Sequence, residues 1–134
     1  MTLQYSVAVN NAKLDQIEAT IGTAPLLKLY TGSIPANPAA AATGTLLATL
    51  TLPSDWMAAA ASASKAKAGT WSGTASASGT CGYCRIYDST GTNCGIQGTA
   101  GISSGDFQFD NTNISTSQSV SCTTFTISVA AANT

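Results

Sequence analysis

The chain contains no histidine. That absence removes the commonest general base, the Ser-His-Asp and Cys-His arrangements of nucleophilic catalysis, and the usual nitrogen ligand of zinc. Charge is scarce too: five Lys and Arg stand against six Asp and Glu, 8% of the residues, for a net charge of −1. So even a balance argues against a polyanionic partner such as nucleic acid. No apolar run approaches the roughly twenty residues needed to cross a bilayer, and the opening MTLQYSVAVNNAKLDQ lacks a basic segment followed by an apolar one. The expectation is a protein that is neither secreted nor anchored in a membrane, made in a reducing cytosol where its four cysteines begin as thiols. The glycine-rich stretches show no Gly-x-Gly-x-x-Gly after a strand and no P-loop lysine, so no phosphate cradle and no cofactor is expected.

What is present is Ala, Thr, Ser and Gly in abundance, in 134 residues, a length that supports one hydrophobic core and a single domain over 1–134. A surface so poor in charge lacks the repulsion that keeps free proteins apart, which suits life inside an assembly; a free module with a Ser/Thr surface is the alternative.

Along the chain, 11–22 (NAKLDQIEATIG) reads as a short amphipathic helix, with Asn11 capping its start, Leu14, Ile17 and Ile21 as its apolar stripe, Asp15 and Glu18 on a solvated face, and Gly22 ending it. LLKLYTG then alternates, Leu27 and Leu29 on one side and Lys28 and Tyr30 on the other. Pro35 and Pro38 make 33–44 a loop despite its alanines, and TLLATLTL is the next strand. Pro53-Ser54-Asp55-Trp56-Met57 offers a helix start leading into AAAASASKAKAG. Five further segments, TWSGTAS, CGYCRIYD, TNCGIQGT, GDFQFDN and VSCTTFTISVA, follow at roughly the 8 to 12 residue spacing of an all-β sandwich or barrel. The predicted architecture is mainly β: an antiparallel β-sandwich of about seven strands, a jelly roll being one form of it, with one or two short helices.

The cysteines invite chemistry. Cys81 and Cys84 form a CxxC, but in a regular strand residues three apart face opposite sides, which puts Cys81 with Tyr83, Arg85 and Tyr87 and sends Cys84 the other way with Ile86. A redox pair wants a helix N-terminus, which is missing. Cys81, Cys84, Cys94 and Cys122 supply four sulfurs for zinc, yet there is no second CxxC knuckle. YDSTGT reads as a hairpin turn that brings Cys94 across from Cys81 or Cys84. The reading preferred is that of small buried side chains, with no metal. Asp106 and Asp110, with Asn111 and Asn113, offer oxygens for Ca²⁺, but the EF-hand spacing is absent and their alternation with Phe107 and Phe109 is that of a strand end. Trp56 and Trp71 are either core residues or exposed platforms for a sugar or partner.

With these elements placed, LKLYTGSIPANPAAAATGTLLATLTLPSDWM, KAGTWSGTASASGTCGYCRIYDSTGTNCGIQGT and DNTNIS together resemble a family of small proteins encoded in the virion gene clusters of tailed bacteriophages, PSDWM, TWSGTAS and RIYDSTGT being the most distinctive runs. The resemblance implies a non-enzymatic virion structural component: a capsid decoration or cement protein whose partners are the major capsid protein and neighbouring copies of itself. The alternative is a tail or fibre module that recognises host glycans through exposed aromatics. Candidate contact residues are Leu14, Ile17 and Ile21, Pro35 and Pro38 in the loop, and Trp56 and Met57, with the N-terminal segment free to dock on a neighbour.

Overall fold

Alternation builds the first strand as expected. In β1 (Leu26–Thr31) of the computed structural model, which describes residues 3–128, Leu27 and Leu29 are wholly buried while Lys28 is half-exposed. The remaining strands are β2 (Leu46–Thr51), β3 (Ser64–Ala66), β4 (Trp71–Thr74), β5 (Gly79–Tyr87), β6 (Cys94–Gly101), β7 (Phe107–Phe109), β8 (Asn113–Ile114) and β9 (Ser119–Ser128). The predicted last strand runs on to Ala130, and its positions 129–130 lie outside the described residues.

The fold is mainly β with one helix, as predicted, but the strands follow a single hydrogen-bonded path, β2-β1-β5-β6-β7-β9-β3, instead of two facing sheets. β4 joins β9 beside β3, and β8 pairs the start of β5. The sheet is mixed, because β6 and β7 run parallel through Ala100–Phe107 and Gly101–Gln108. It curls into a half-barrel. An Ala48–Ala75 bridge, with the Ser76 and Ala77 N–H groups donating to Leu47 O, draws the β2 edge toward β4. Two register shifts localise part of the curvature, since both neighbours of β1 carry an extra residue opposite the Leu29–Thr31 stretch: Leu47 in β2 and Gly82 in β5. The concave side holds Leu27, Leu29, Leu47, Leu50, Trp56, Trp71, Ile86, Phe107, Phe109 and Phe125, and the Phe107 and Phe125 rings stack at 4.4 Å.

The helix, α1 (Val7–Ile21), begins a turn earlier than predicted. Ser6 Oγ accepts from the Val9 N–H at 3.1 Å, a cap worth about 1 kcal/mol, and Gly22 ends the helix as expected, at φ 96°. Asn11 is not the cap; its Oδ1 accepts from the Ala63 N–H. The second expected helix, from Ser54, does not form. Residues 57–63 run as irregular, largely extended chain into β3, because burial of Trp56 and Met57 and bonds from α1 outweigh the helix preference of alanine. Asp15 Oδ1 accepts from the Ala60 N–H, and Glu18 Oε2 from the Met57 N–H. Lys65, from β3, is buried and donates to Asp15 Oδ1 at 2.7 Å and Ala58 O at 2.8 Å, and lies 2.9 Å from Glu18 Oε1. The face predicted to be solvated therefore fastens the helix to the sheet.

Candidate functional site

Three regions hold the residues to which the sequence drew attention. The first is the convex face of β5. Tyr83, Arg85 and Tyr87 alternate there, and the proline loop closes over them, so both faces of this strand are buried. Tyr83 Oη donates to Thr43 O at 2.6 Å and accepts from the Thr43 N–H. Arg85 donates to the carbonyls of Asn37 and Ala40, to Gln97 Oε1 and to Tyr87 Oη, and Gln97 Nε2 donates to Pro35 O. Tyr30 stacks on Tyr83 at 5.1 Å, and burial, then hydrogen bonding to Tyr87, raises its phenol above the usual range. Arg85 thus serves as the hub on which loop 33–44 is seated, a role for which CGYCRIYD gave only the signal of a lone arginine at an alternating position.

The second region is the candidate contact surface. Leu14, Trp56 and Met57 are 2%, 0% and 1% exposed, so none of the three faces a partner. Trp56 Nε1 donates to Gly22 O and Trp71 Nε1 to Ala68 O, and the two rings lie 6.1 Å apart inside the sheet. Both tryptophans belong to the core. Ile17 and Ile21 are half-buried; Ile17 borders a groove of mixed lining, with Ile96, Phe125 and Ile127 beside Gln97 and Asp106. Pro35 is half-buried against β6, and Pro38 is exposed. The exposed apolar residues lie elsewhere in the chain: Leu3 and Tyr5 precede α1, Val7 and Val9 are in its first turn, and Ile34 and Ile102 are in loops. Their signal in the sequence was the apolar alternation of LQYSVAV ahead of the expected helix.

The third region is the cysteine run. Pairing sets Tyr30 against Tyr83 but Thr31 against Cys81, leaving Gly82 as the extra residue of a bulge. A Cβ on Gly82 would lie 2.0 Å from Gly32 O, so only glycine fits where the two backbones approach. The bulge resets the alternation, and Cys81 joins Cys84 and Ile86 on the concave side, correcting the expectation of divergent thiols. The two sulfurs lie 3.7 Å apart. Hydrogen bonding from Cys84 lowers the Cys81 thiol, whereas burial drives Cys84 well up and pushes Cys122 up to about 11. Cys94, in β6, stands across from Tyr87 and not from either β5 cysteine, which is a second correction.

The carboxylates serve the backbone. Asp88 opens the predicted turn, accepting from Thr90, Thr92 and Asn93, and Gly91 takes φ 74°. Asp106 accepts from the Thr99 N–H and hydroxyl, tying β6 to β7, while Phe107 and Phe109 alternate inward. Among the described residues no three His, Cys, Asp or Glu side chains converge as a metal site. What these regions define is a charge-poor β half-barrel with a helix and a loop stapled to its outside and exposed apolar residues at and before the start of that helix. No family model, curated protein or solved structure matches the chain.

Proposed function

We propose that this chain is a non-enzymatic structural protein of a tailed-bacteriophage virion, bound to the outer capsid as a decoration or cement protein. Its partners are the major capsid protein and adjacent copies of itself. The observation that carries the reading is the set of exposed apolar side chains at and before the start of α1, Leu3, Tyr5, Val7 and Val9, 75%, 40%, 44% and 45% accessible, on a chain with only 8% charged residues. Exposed apolar side chains on a weakly charged surface suit a contact that is repeated by symmetry, where many small interfaces sum through avidity. The resemblance of PSDWM, TWSGTAS and RIYDSTGT to phage virion proteins supports the same reading. Trp56 and Trp71, the aromatics considered as platforms for a glycan, are interior.

The test is a particle lacking the protein. It should assemble and adsorb to host cells but release DNA at lower temperature or under milder osmotic stress. Exchanging Val7 and Val9 for Asp should prevent addition of the protein to such particles while leaving its own melting nearly unchanged, because both side chains are exposed. Particles of normal robustness that fail to adsorb would reject the proposal in favour of receptor binding.

A further inference from the structure

The bulge at Gly82 removes the reason for treating the CxxC of β5 as two unrelated thiols. Cys81 and Cys84 share one face, their sulfurs 3.7 Å apart, and are 4% and 0% exposed. We propose that they are a redox-active dithiol that closes to an intrastrand disulfide when the protein meets a peroxide.

Three features of the site argue for this pairing. The thiols are unequal: burial holds the Cys84 thiol well up, while contact with Cys84 lowers the Cys81 thiol, so that of the two Cys84 is the better proton holder and Cys81 the attacking sulfur. Closure from 3.7 Å to the roughly 2.05 Å of a disulfide asks for less than about 2 Å of sulfur movement, which rotation about the two Cα–Cβ bonds supplies while Gly82 keeps its backbone contact with Gly32. Dithiol and disulfide are both neutral, so the apolar surroundings do not penalise the product. The thiols of Cys81, Cys122 and Cys94 each also reach a nearby carbonyl, Tyr83 O, Thr124 O and Ile96 O in turn, but only Cys81 and Cys84 bring their sulfurs into contact.

At 4% exposure Cys81 admits only a small oxidant. The Cys81 thiolate attacks one peroxide oxygen, the O–O bond breaks, and a sulfenic acid forms with release of water or an alcohol. Cys84 sulfur then attacks Cys81 sulfur, displacing hydroxide, which leaves as water with the Cys84 proton. Two thiols are oxidised by two electrons, and the peroxide is reduced.

The experiment treats the native chain with hydrogen peroxide, quenches it, unfolds it and alkylates the remaining thiols. The expected product has two alkylated cysteines out of four, with the 68–85 tryptic peptide two hydrogens lighter and unalkylated. Cys84→Ser and Cys84→Ala should instead leave an oxygenated Cys81 that dimedone traps, and Cys122→Ser should leave the Cys81–Cys84 link unchanged. Four alkylated thiols after treatment of the wild type would overturn the proposal. So would a bond to Cys94, Cys122 or a second chain, or a Cys81 that stays unoxidised in both Cys84 variants.

Discussion

Exchanging Lys65 for Met isolates what the buried ammonium contributes. The side chain keeps most of its apolar stem, while the contacts to Asp15, Glu18 and Ala58 O, all at 2.7–2.9 Å, are lost together. Removing one member of a buried ion pair costs about 3–5 kcal/mol, mainly because the other is left charged without a partner. Here the Asp15 side chain is 49% accessible and returns to water, whereas Glu18, at 22%, stays partly shielded, which places the loss near the low end, about 3 kcal/mol. At an unfolding entropy of about 2.1 cal/mol/K per residue, a chain of 134 residues should melt about 10 °C lower. Circular dichroism melts at neutral pH give the number. Adding Glu18→Gln and Asp15→Asn should recover part of it, because the stranded charges disappear while their oxygens still accept from Met57 and Ala60. A Lys65→Met protein that melts within a degree of wild type would refute the reasoning, as would a triple variant no better than the single one.

Acid should destabilise the same contact. Asp15 is lowered by its hydrogen bond with Lys65, and Asp88 by those with Thr90, Thr92 and Asn93. A carboxyl depressed in the folded state stabilises above its unfolded value and loses that contribution as pH falls through its folded one, so melting temperature should decline below about pH 4. Lys65 is pulled down by burial but raised overall by Asp15 and Glu18, so its share is complete below its unfolded value and is lost only as pH rises through the folded one, at the alkaline end. A melting temperature flat from pH 7 to pH 3 would contradict both acidic assignments. Gly82→Ala should cost more than about 4 kcal/mol, because its Cβ would lie 2.0 Å from Gly32 O, and the variant should accumulate as insoluble protein; a soluble variant with wild-type melting would show that the backbones do not approach there.

The strands were legible where one face meets solvent and the other the core. LLKLYT and GDFQFDN alternate in the sequence and in the structure, and Asp88 and Gly91 announced their turn, because in each case a local rule and the tertiary context agree. Failure came where a partner distant in sequence decided the outcome. The alanine-rich run after Trp56 favours a helix by itself, yet the acceptors that hold it extended are Asp15 and Glu18, more than thirty residues earlier. That loop 33–44 covers Tyr83 and Arg85 of β5 is stated by nothing local in either segment. The short β3 and β8 carry too few residues to show a period at all.

The cysteines show how far one residue of register propagates. Pairing period is two, so a single extra residue moves everything beyond it to the other face. At Gly82 that step turns Cys81 from the side of Tyr83 to the side of Cys84, and at Leu47 it lets two successive residues, Leu47 and Ala48, both enter the core. Both bulges sit against the same short stretch of β1, so the bend that curls the sheet there and the event that brings two thiols into contact are one geometric feature. The sequence did carry a mark of it. A glycine between Cys81 and Tyr83, inside a strand otherwise rich in bulky residues, is what a bulge or a close backbone approach requires, and here Gly82 meets both demands at once. It follows that a substitution at Gly82 cannot alter the thiol pair without also straining the curvature of the sheet. The pair must therefore be tested by changing sulfur atoms, not the backbone that aligns them.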